Sequence, residues 1–407
     1  MHPVQKITGG VCAPLGFQAA GVHCGVKPGS TKEDLALIYS EKPAAAACVY
    51  TLNKVQGAPI AVTKRHVADG AAQAIVCNSG NANTCNADGE QKALQMCQSA
   101  AQHLGLSPQD VIVASTGVIG QPLPIEPIVN GMPALCSQLS PNGSTAAARA
   151  IMTTDTAVKE TAVSFSLGGK TCHMGGIAKG SGMIHPNMAT MLCFITTDAC
   201  ISSQMLQKAL SDVVQDTFNM ISVDGDTSTN DMVAVLANGE AKNPAVSGPG
   251  EDFDVFHDAL CAVMTDLCRA IAADGEGATK LLTCQVQGAP DKETARVVAK
   301  SVITSSLFKA AMFGADANWG RILCAIGYAP ADFDVGLVSV DLSSAAGTVA
   351  VCRKGSGVPF DEQKASAVLQ EKEIVIDINL HTGTESATAW GCDLTYDYVK
   401  INGDYRT

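Results

Sequence analysis

Residues 179–195 join two incompatible kinds of chain. Up to Asn187 the run Lys-Gly-Ser-Gly-Met-Ile-His-Pro-Asn is repeatedly broken by glycine and proline, whereas Met191, Leu192, Cys193, Phe194 and Ile195 are apolar without interruption. A broken segment feeding an apolar run reads as a loop that enters a buried strand. Thr190 supplies a hydroxyl at that junction. Cutting the Ala189–Thr190 peptide bond would give Thr190 a free α-amine with a pKa of roughly 7.7–8.0 beside its own hydroxyl. One residue would then hold both nucleophile and base. Chemistry alone leaves a plainer reading standing, that of a β-branched residue opening a strand.

The 407 residues are enough for a substantial core and two or three domains. With 46% apolar and 16% charged residues the composition is that of a compact globular protein. A net charge of −12 argues against nucleic acid and anionic membrane as partners. It also provides no steering toward an acidic substrate, so a glutamate site would need a local positive pocket. The 16 cysteines are scattered, with no Cys-x-x-Cys and no Cys/His cluster of zinc spacing. They read as buried reduced thiols, and no metal site is expected. Met1 to Gly10 lacks a basic leader with an apolar core, and no apolar run approaches about 18 residues. A cytoplasmic protein is expected.

Apolar runs over 44–51, 58–62, 74–77 and 111–114 predict strands. The third delivers the Gly- and Asn-rich loop 78–83, and the fourth delivers Ser115, Thr116 and Gly117. Between them Asp88 is placed to cap a helix over 89–104, with Leu94, Cys97, Ala101 and Leu104 on one face and Gly105 at its end. Shorter helices are expected over 127–139 and 146–152, then a strand over 161–167 and a Gly168-Gly169 turn. Beyond Thr196 the spacing turns helical over 205–218, 253–272 and 294–313, the second with Phe256, Leu260, Val263, Leu267 and Ile271 on one face. A strand over 232–236 and an exposed loop over 243–250 separate the first two. Alternation over 336–342, 348–352, 373–380 and 386–395 predicts a strand-rich C-terminal domain. The fold class is α/β (α+β), a layered sheet-and-helix core.

Several short segments stand out beside 179–195. They are Asn78-Ser-Gly-Asn-Ala-Asn83, Ser115-Thr-Gly-Val-Ile-Gly120, Met152-Thr-Thr-Asp-Thr156, Ser222-Val-Asp-Gly-Asp-Thr-Ser-Thr-Asn-Asp231, Glu276-Gly-Ala-Thr-Lys280, Asn318-Trp-Gly-Arg-Ile322 and Asp404-Tyr-Arg-Thr407. In this order they resemble the ornithine acetyltransferases, or glutamate N-acetyltransferases, and residues 179–195 resemble that family's self-cleavage segment. The resemblance implies the layered fold of the self-cleaving acetyltransferases and aminopeptidases, cut between Ala189 and Thr190. It implies an α segment 1–189 that, with 190–280 of the β segment, forms the catalytic core, and a C-terminal α/β domain 281–407. It further implies an α2β2 assembly. The implied reaction moves acetyl from N2-acetyl-L-ornithine to L-glutamate through acetyl-Thr190 in arginine biosynthesis, with acetyl-CoA as a second candidate donor and no metal or redox cofactor. Two alternatives stay open: a hydrolase of the aminopeptidase branch, which carries Ser as nucleophile, and an uncleaved binding protein for acetylated amino acids.

Several residues can be weighed on their own chemistry. Thr116 offers a hydroxyl and an N–H and Gly117 lets backbone approach, as an oxyanion site requires, although a glycine where a strand turns is also ordinary. The resemblance makes these two the oxyanion pair. Lys179 can hold a substrate carboxylate, against the plain reading of a solvated charge; it matches a family substrate ligand, as does Thr153, whose plain role is a cap. Glu276, on a Gly-flanked loop, can accept an ammonium. Thr407 at the chain end would present an α-carboxylate, with a pKa of roughly 3.3–3.7, and Asn402 a directional amide. Both match family substrate ligands, against the plain reading of a terminal strand. His185 is read as structural. Asp224, Asp226 and Asp231 are read as part of a hydrogen-bonded loop, because no terminal Glu completes a calcium loop. Ala317, Gly403 and the 85–89 loop depart from the family pattern without touching the nucleophile.

Overall fold

A computed structural model describes residues 2–27, 29–185 and 191–404. Two mixed sheets carry the architecture. Across the first run Gln5–Ile7, Lys159–Leu167, Lys170–Lys179, Leu192–Thr197, Met232–Ala237, Leu35–Tyr50, Ala71–Asn78 and Val111–Ser115, with Phe17–Val22 paired to Leu35–Tyr50. Across the second run Ser356–Gly357, Gly347–Arg353, Ser339–Ser344, Glu373–Asn379, Leu281–Ala289, Glu385–Cys392 and Ile221–Ser222. The last of these comes from the middle of the chain and joins the C-terminal sheet in parallel to Glu385–Cys392.

The expected run after Met191 is the strand Leu192–Thr197, buried at every position. Such continuous burial arises because it lies inside the sheet, antiparallel to Lys170–Lys179 and parallel to Met232–Ala237. The helix Glu251–Ala273 packs on the first sheet and reaches strands of the second, and its stripe Phe256, Leu260, Val263, Leu267 and Ile271 is buried as the spacing predicts. A single cluster of buried side chains therefore runs through both sheets. Gly89–Leu104 and Ile125–Ser137 pack together over the far side of the first sheet, so helices cover both of its faces.

Several elements differ from expectation for physical reasons. Residues 58–62 open the helix Ala58–His66 instead of forming a strand; Pro59 sits in its first turn, where its missing N–H costs nothing, and Pro59, Ile60, Thr63 and His66 are buried at helical spacing. An apolar run this short does not distinguish the two structures. Asp88 precedes Gly89–Leu104 but its carboxylate makes no cap bond and pairs with Lys92 at 2.9 Å. The expected helix 294–313 is two, Lys292–Thr304 and Ser306–Phe313, because Ser305 ends the first and its hydroxyl accepts from the Phe308 N–H to start the second. The strand expected from 336 begins at Ser339, behind a 3₁₀ turn at Val335–Leu337. The 243–250 loop is exposed except where Asn243 and Val246 anchor it. Trp319–Gly327, Glu362–Leu369 and Tyr396–Asp404 are helices that went unread, so the last described element is helical and not a terminal strand.

Phe256 is fully buried and meets Phe165 edge-on, with centroids 6.5 Å apart. Phe256→Ala should therefore cost about 3–5 kcal/mol, read as a lowered urea midpoint, because it empties a site on the helix that both sheets share.

Candidate active site

Lys179 and Met232 flank Leu192 in register across the first sheet. At this sheet end lies a cavity of about 170 Å³ lined by Thr116, Gly117, Thr153, Lys179, Glu276 and Asn402, six residues singled out from the sequence. Met191, the residue after Thr190, also lines it. Ala189, Thr190 and Thr407 lie outside the described residues.

Gly117 follows Val111–Ser115 by two residues and has φ 130, where a side chain is disfavoured; a Cβ would lie 2.7 Å from the Gly80 carbonyl carbon. The Thr116 N–H is not available to a ligand, because it donates to the Asn78 carbonyl at 2.9 Å. Thr116 and Gly117 both line the cavity, and the donors they leave there without a partner among the described residues are the Thr116 hydroxyl and the Gly117 N–H. Asn230 fixes this corner. Its Oδ1 accepts from the Thr84 and Thr229 hydroxyls at 2.5 and 2.6 Å, and its Nδ2 donates to the Ala82 and Ser115 carbonyls at 2.5 and 2.9 Å. The loop 78–83 is held from within as well, with Asn78 Nδ2 donating to Ser115 Oγ at 2.7 Å and Asn78 Oδ1 accepting from Gly80 and Asn81.

Lys179 is buried, and its ammonium makes no hydrogen bond or ion pair with a described residue. It places a positive group on the cavity wall of a chain whose net charge is −12. Behind it Asp155 accepts from Lys159 Nζ and the Gly180 N–H, both at 2.7 Å, and from the Thr153 N–H at 3.0 Å. Thr153 thus receives a carboxylate contact through its backbone and caps no helix, which leaves its side chain on the cavity wall. Burial alone would raise the Asp155 pKa, but the Lys179 and Lys159 ammonium groups outweigh it and hold the carboxyl far below the ordinary range. Lys159 also pairs with Asp274 at 2.5 Å, and Asp274 accepts from the Thr156 N–H and hydroxyl. Asp155, Lys159 and Asp274 were not found from the sequence; the Lys159–Asp274 pair spans 115 positions, and no local pattern announces it.

Glu276 follows the long helix, and its carboxylate accepts from Asn402 Nδ2 at 2.7 Å. Gly182 lets it pack there, since a Cβ on residue 182 would meet the carboxylate at 2.4 Å. The loop of residues 222–231 divides in two. Asp224 accepts from the Met183, Ile184 and Asp226 N–H groups at 2.6, 2.9 and 3.2 Å, as a hydrogen-bonded loop should. Asp231 departs from that reading: it is buried on the cavity wall, and its Oδ2 has no partner. His185 does not line the cavity; its Nδ1 lies 3.1 Å from Ser222 Oγ, and burial, then Lys300, lower its pKa to about 4. Among the described residues no group of three or more His, Cys, Asp or Glu side chains could hold a metal ion, and no helix is long and apolar enough to cross a membrane.

The model of the ArgJ family matches residues 18–407. The chain belongs to the ArgJ family. It is 52% identical over 406 residues to the arginine biosynthesis bifunctional protein ArgJ of Symbiobacterium thermophilum, covering 99% of this chain and 100% of that one. To the ArgJ protein of Bacillus subtilis it is 48% identical over 406 residues, covering 99% and 98%. Among solved structures it is similar to the ArgJ protein of Bacillus halodurans, 45% identical, over 52% of this chain and 98% of that chain, with a TM-score of 0.49.

In this ArgJ-family chain Asp155→Asn should destabilise the fold by an amount near the lower end of about 3–5 kcal/mol, since Lys159 keeps Asp274. The depressed folded-state pKa means that the Asp155 contribution is complete well above the unfolded value of about 3.9 and is lost as pH falls through and below it. The gap between the unfolding midpoints of the two proteins should therefore hold steady from pH 7 to about pH 5 and begin to narrow below about pH 4.

Proposed function

We propose that this chain is an acetyltransferase of arginine biosynthesis that cuts itself between Ala189 and Thr190 and then carries acetyl on Thr190 from N2-acetyl-L-ornithine to L-glutamate. The observation that carries this reading is the cavity that collects oxyanion donors, a buried cation and an anchored carboxylate around Met191, directly after Thr190. The curated ArgJ relatives carry the arginine-biosynthesis name across the full length of the match.

In this reading the Thr190 α-amine takes the hydroxyl proton as Oγ attacks the acetyl carbonyl carbon. The Thr116 hydroxyl and the Gly117 N–H receive the oxyanion, each such donor being worth about 100- to 1000-fold in rate. Lys179 and Thr153 take the substrate α-carboxylate. Glu276, oriented by Asn402, takes the side-chain ammonium of ornithine, with the Thr407 carboxylate as a further anion. As the tetrahedral intermediate collapses, the Thr190 ammonium returns its proton to the departing α-amine of ornithine. The neutral α-amine of glutamate then attacks the carbonyl carbon of acetyl-Thr190; the Thr190 amine takes its proton and passes it to Thr190 Oγ as the ester C–O bond breaks, which frees N-acetylglutamate and restores the hydroxyl. A cavity of about 170 Å³ suits one amino acid at a time, which favours this double displacement. Acetyl-CoA as a second donor, an α2β2 assembly of the 1–189 and 190–407 segments, a C-terminal domain from residue 281 and a cytoplasmic location complete the proposal. No step calls on a metal or redox cofactor.

Denatured intact-mass analysis should give two chains meeting at Ala189–Thr190, and Thr190→Ala should give one. Labelled N-acetylornithine should leave one acetyl group on Thr190, released by glutamate at least about 100-fold faster than by water. A single full-length mass after long incubation would sink the mechanism, and equal release by water would make the protein a hydrolase.

Extension of the chain by a few residues beyond Thr407 should raise KM for N-acetylornithine while leaving self-cleavage intact, because the cut requires no substrate. Unchanged steady-state kinetics in the extended protein would remove the terminal carboxylate from the site.

A further inference from the structure

Self-cleavage sets a problem that acetyl transfer does not. Before the cut, residue 190 has an amide nitrogen and no amine, so its hydroxyl proton needs another acceptor and the departing amide nitrogen needs a donor. The cavity wall offers few groups for this. Lys179 is an ammonium and can only donate. Glu276 is held through one oxygen by Asn402, and its carboxylate is the group assigned above to the substrate ammonium; the Asn230 amide makes hydrogen bonds through both its oxygen and its nitrogen. His185 stands outside the cavity lining.

Asp231 remains. It is 2% exposed, and its Oδ2 is cut off from solvent and has no hydrogen-bond partner. It lines the cavity together with Met191, and the next residue, Met232, donates its N–H to the Met191 carbonyl at 2.9 Å. The carboxyl is therefore attached one residue from the rung that holds the start of the Leu192–Thr197 strand. Burial raises its pKa well above the ordinary carboxylate value; the Ser228 hydroxyl and the Lys179 ammonium pull the other way without cancelling this. A carboxyl kept protonated can donate from one oxygen and accept on the other.

We propose that Asp231 is the acid–base group of self-cleavage, a role that rests on the reading of Thr190 as the residue exposed by the cut. As Thr190 Oγ attacks the Ala189 carbonyl carbon, one Asp231 oxygen takes the hydroxyl proton. The other gives its proton to the amide nitrogen as the C–N bond breaks. The product is an ester between Ala189 and Thr190 Oγ with a free Thr190 amine, and Asp231 is left in the protonation state in which it began. Water then hydrolyses the ester to the Ala189 carboxylate and the Thr190 hydroxyl. After the cut the amine serves as base for transfer, and the buried carboxyl has no further step to perform.

The test follows cutting of freshly purified full-length chains by intact mass, with Thr190→Ala as the uncut reference. Asp231→Asn should cut at least about 100-fold more slowly than the unmutated chain while unfolding at the same temperature as Thr190→Ala. Asp231→Ala, which empties the space of the carboxyl, should cut faster when sodium formate is added, whereas Thr190→Ala should not respond. Cutting of Asp231→Asn within a few-fold of the unmutated rate, or a folded Asp231→Ala that formate leaves uncut, overturns the proposal. If Asp231→Ala does not fold, the Asp231→Asn rate decides alone. An unmutated chain that never cuts would instead remove the underlying reading of Thr190.

Discussion

The polar side of the cavity hangs on the buried Asp155 carboxylate. It holds the Thr153 N–H on one oxygen and the Gly180 N–H and Lys159 ammonium on the other, so the 152–156 turn and the end of the Lys170–Lys179 strand cannot move apart. Lys159 extends the hold to Asp274, just past the helix Glu251–Ala273, and two residues later stands Glu276. Charges out of water are costly unless each is matched, and here they are matched in a chain. One consequence is that Lys179 can stay buried without a direct partner of its own: Asp155 supplies long-range compensation, and the ammonium is left facing the cavity.

The opposite wall is built from backbone and amides. Gly117 approaches the Gly80 carbonyl more closely than a side chain would permit, and Asn230 ties residues 82 and 115 together from across the chain. Such a wall presents fixed dipoles that need no reorganisation when negative charge develops beside them. The two walls thus have different natures, one a set of charges balanced by charges and the other a rigid lattice of hydrogen bonds. Leu192 and Met191 line the same cavity.

Much of this was legible in the sequence, by two routes. Periodicity exposed the stripe from Phe256 to Ile271, because a helix on a sheet must bury one face. Motif likeness picked out Thr116, Gly117, Thr153, Lys179, Glu276 and Asn402, six residues that the fold gathers from five separate places. What escaped was decided at long range or by single side chains. Residues 58–62 read as a strand because five apolar residues carry too little period, and the break at Ser305 depends on one hydroxyl turning to the Phe308 N–H. Asp231 looked like its neighbours Asp224 and Asp226 until burial separated them. Thr116 seemed to offer an N–H that Asn78 had already taken.

The strand order of the first sheet carries a topological consequence. Leu192–Thr197 and Met232–Ala237 stand side by side in its middle, with Lys170–Lys179 on one flank and Leu35–Tyr50 on the other. Everything beyond those flanks also precedes residue 180 in the chain. A nick after residue 189 would therefore leave one fragment splinted inside the other, with no seam along which they could part. Pulling them apart would mean tearing two central strands from both neighbours, which is denaturation by another name. The nicked protein would keep the cohesion of a single chain, while its second fragment would begin two residues before a strand in the middle of the sheet.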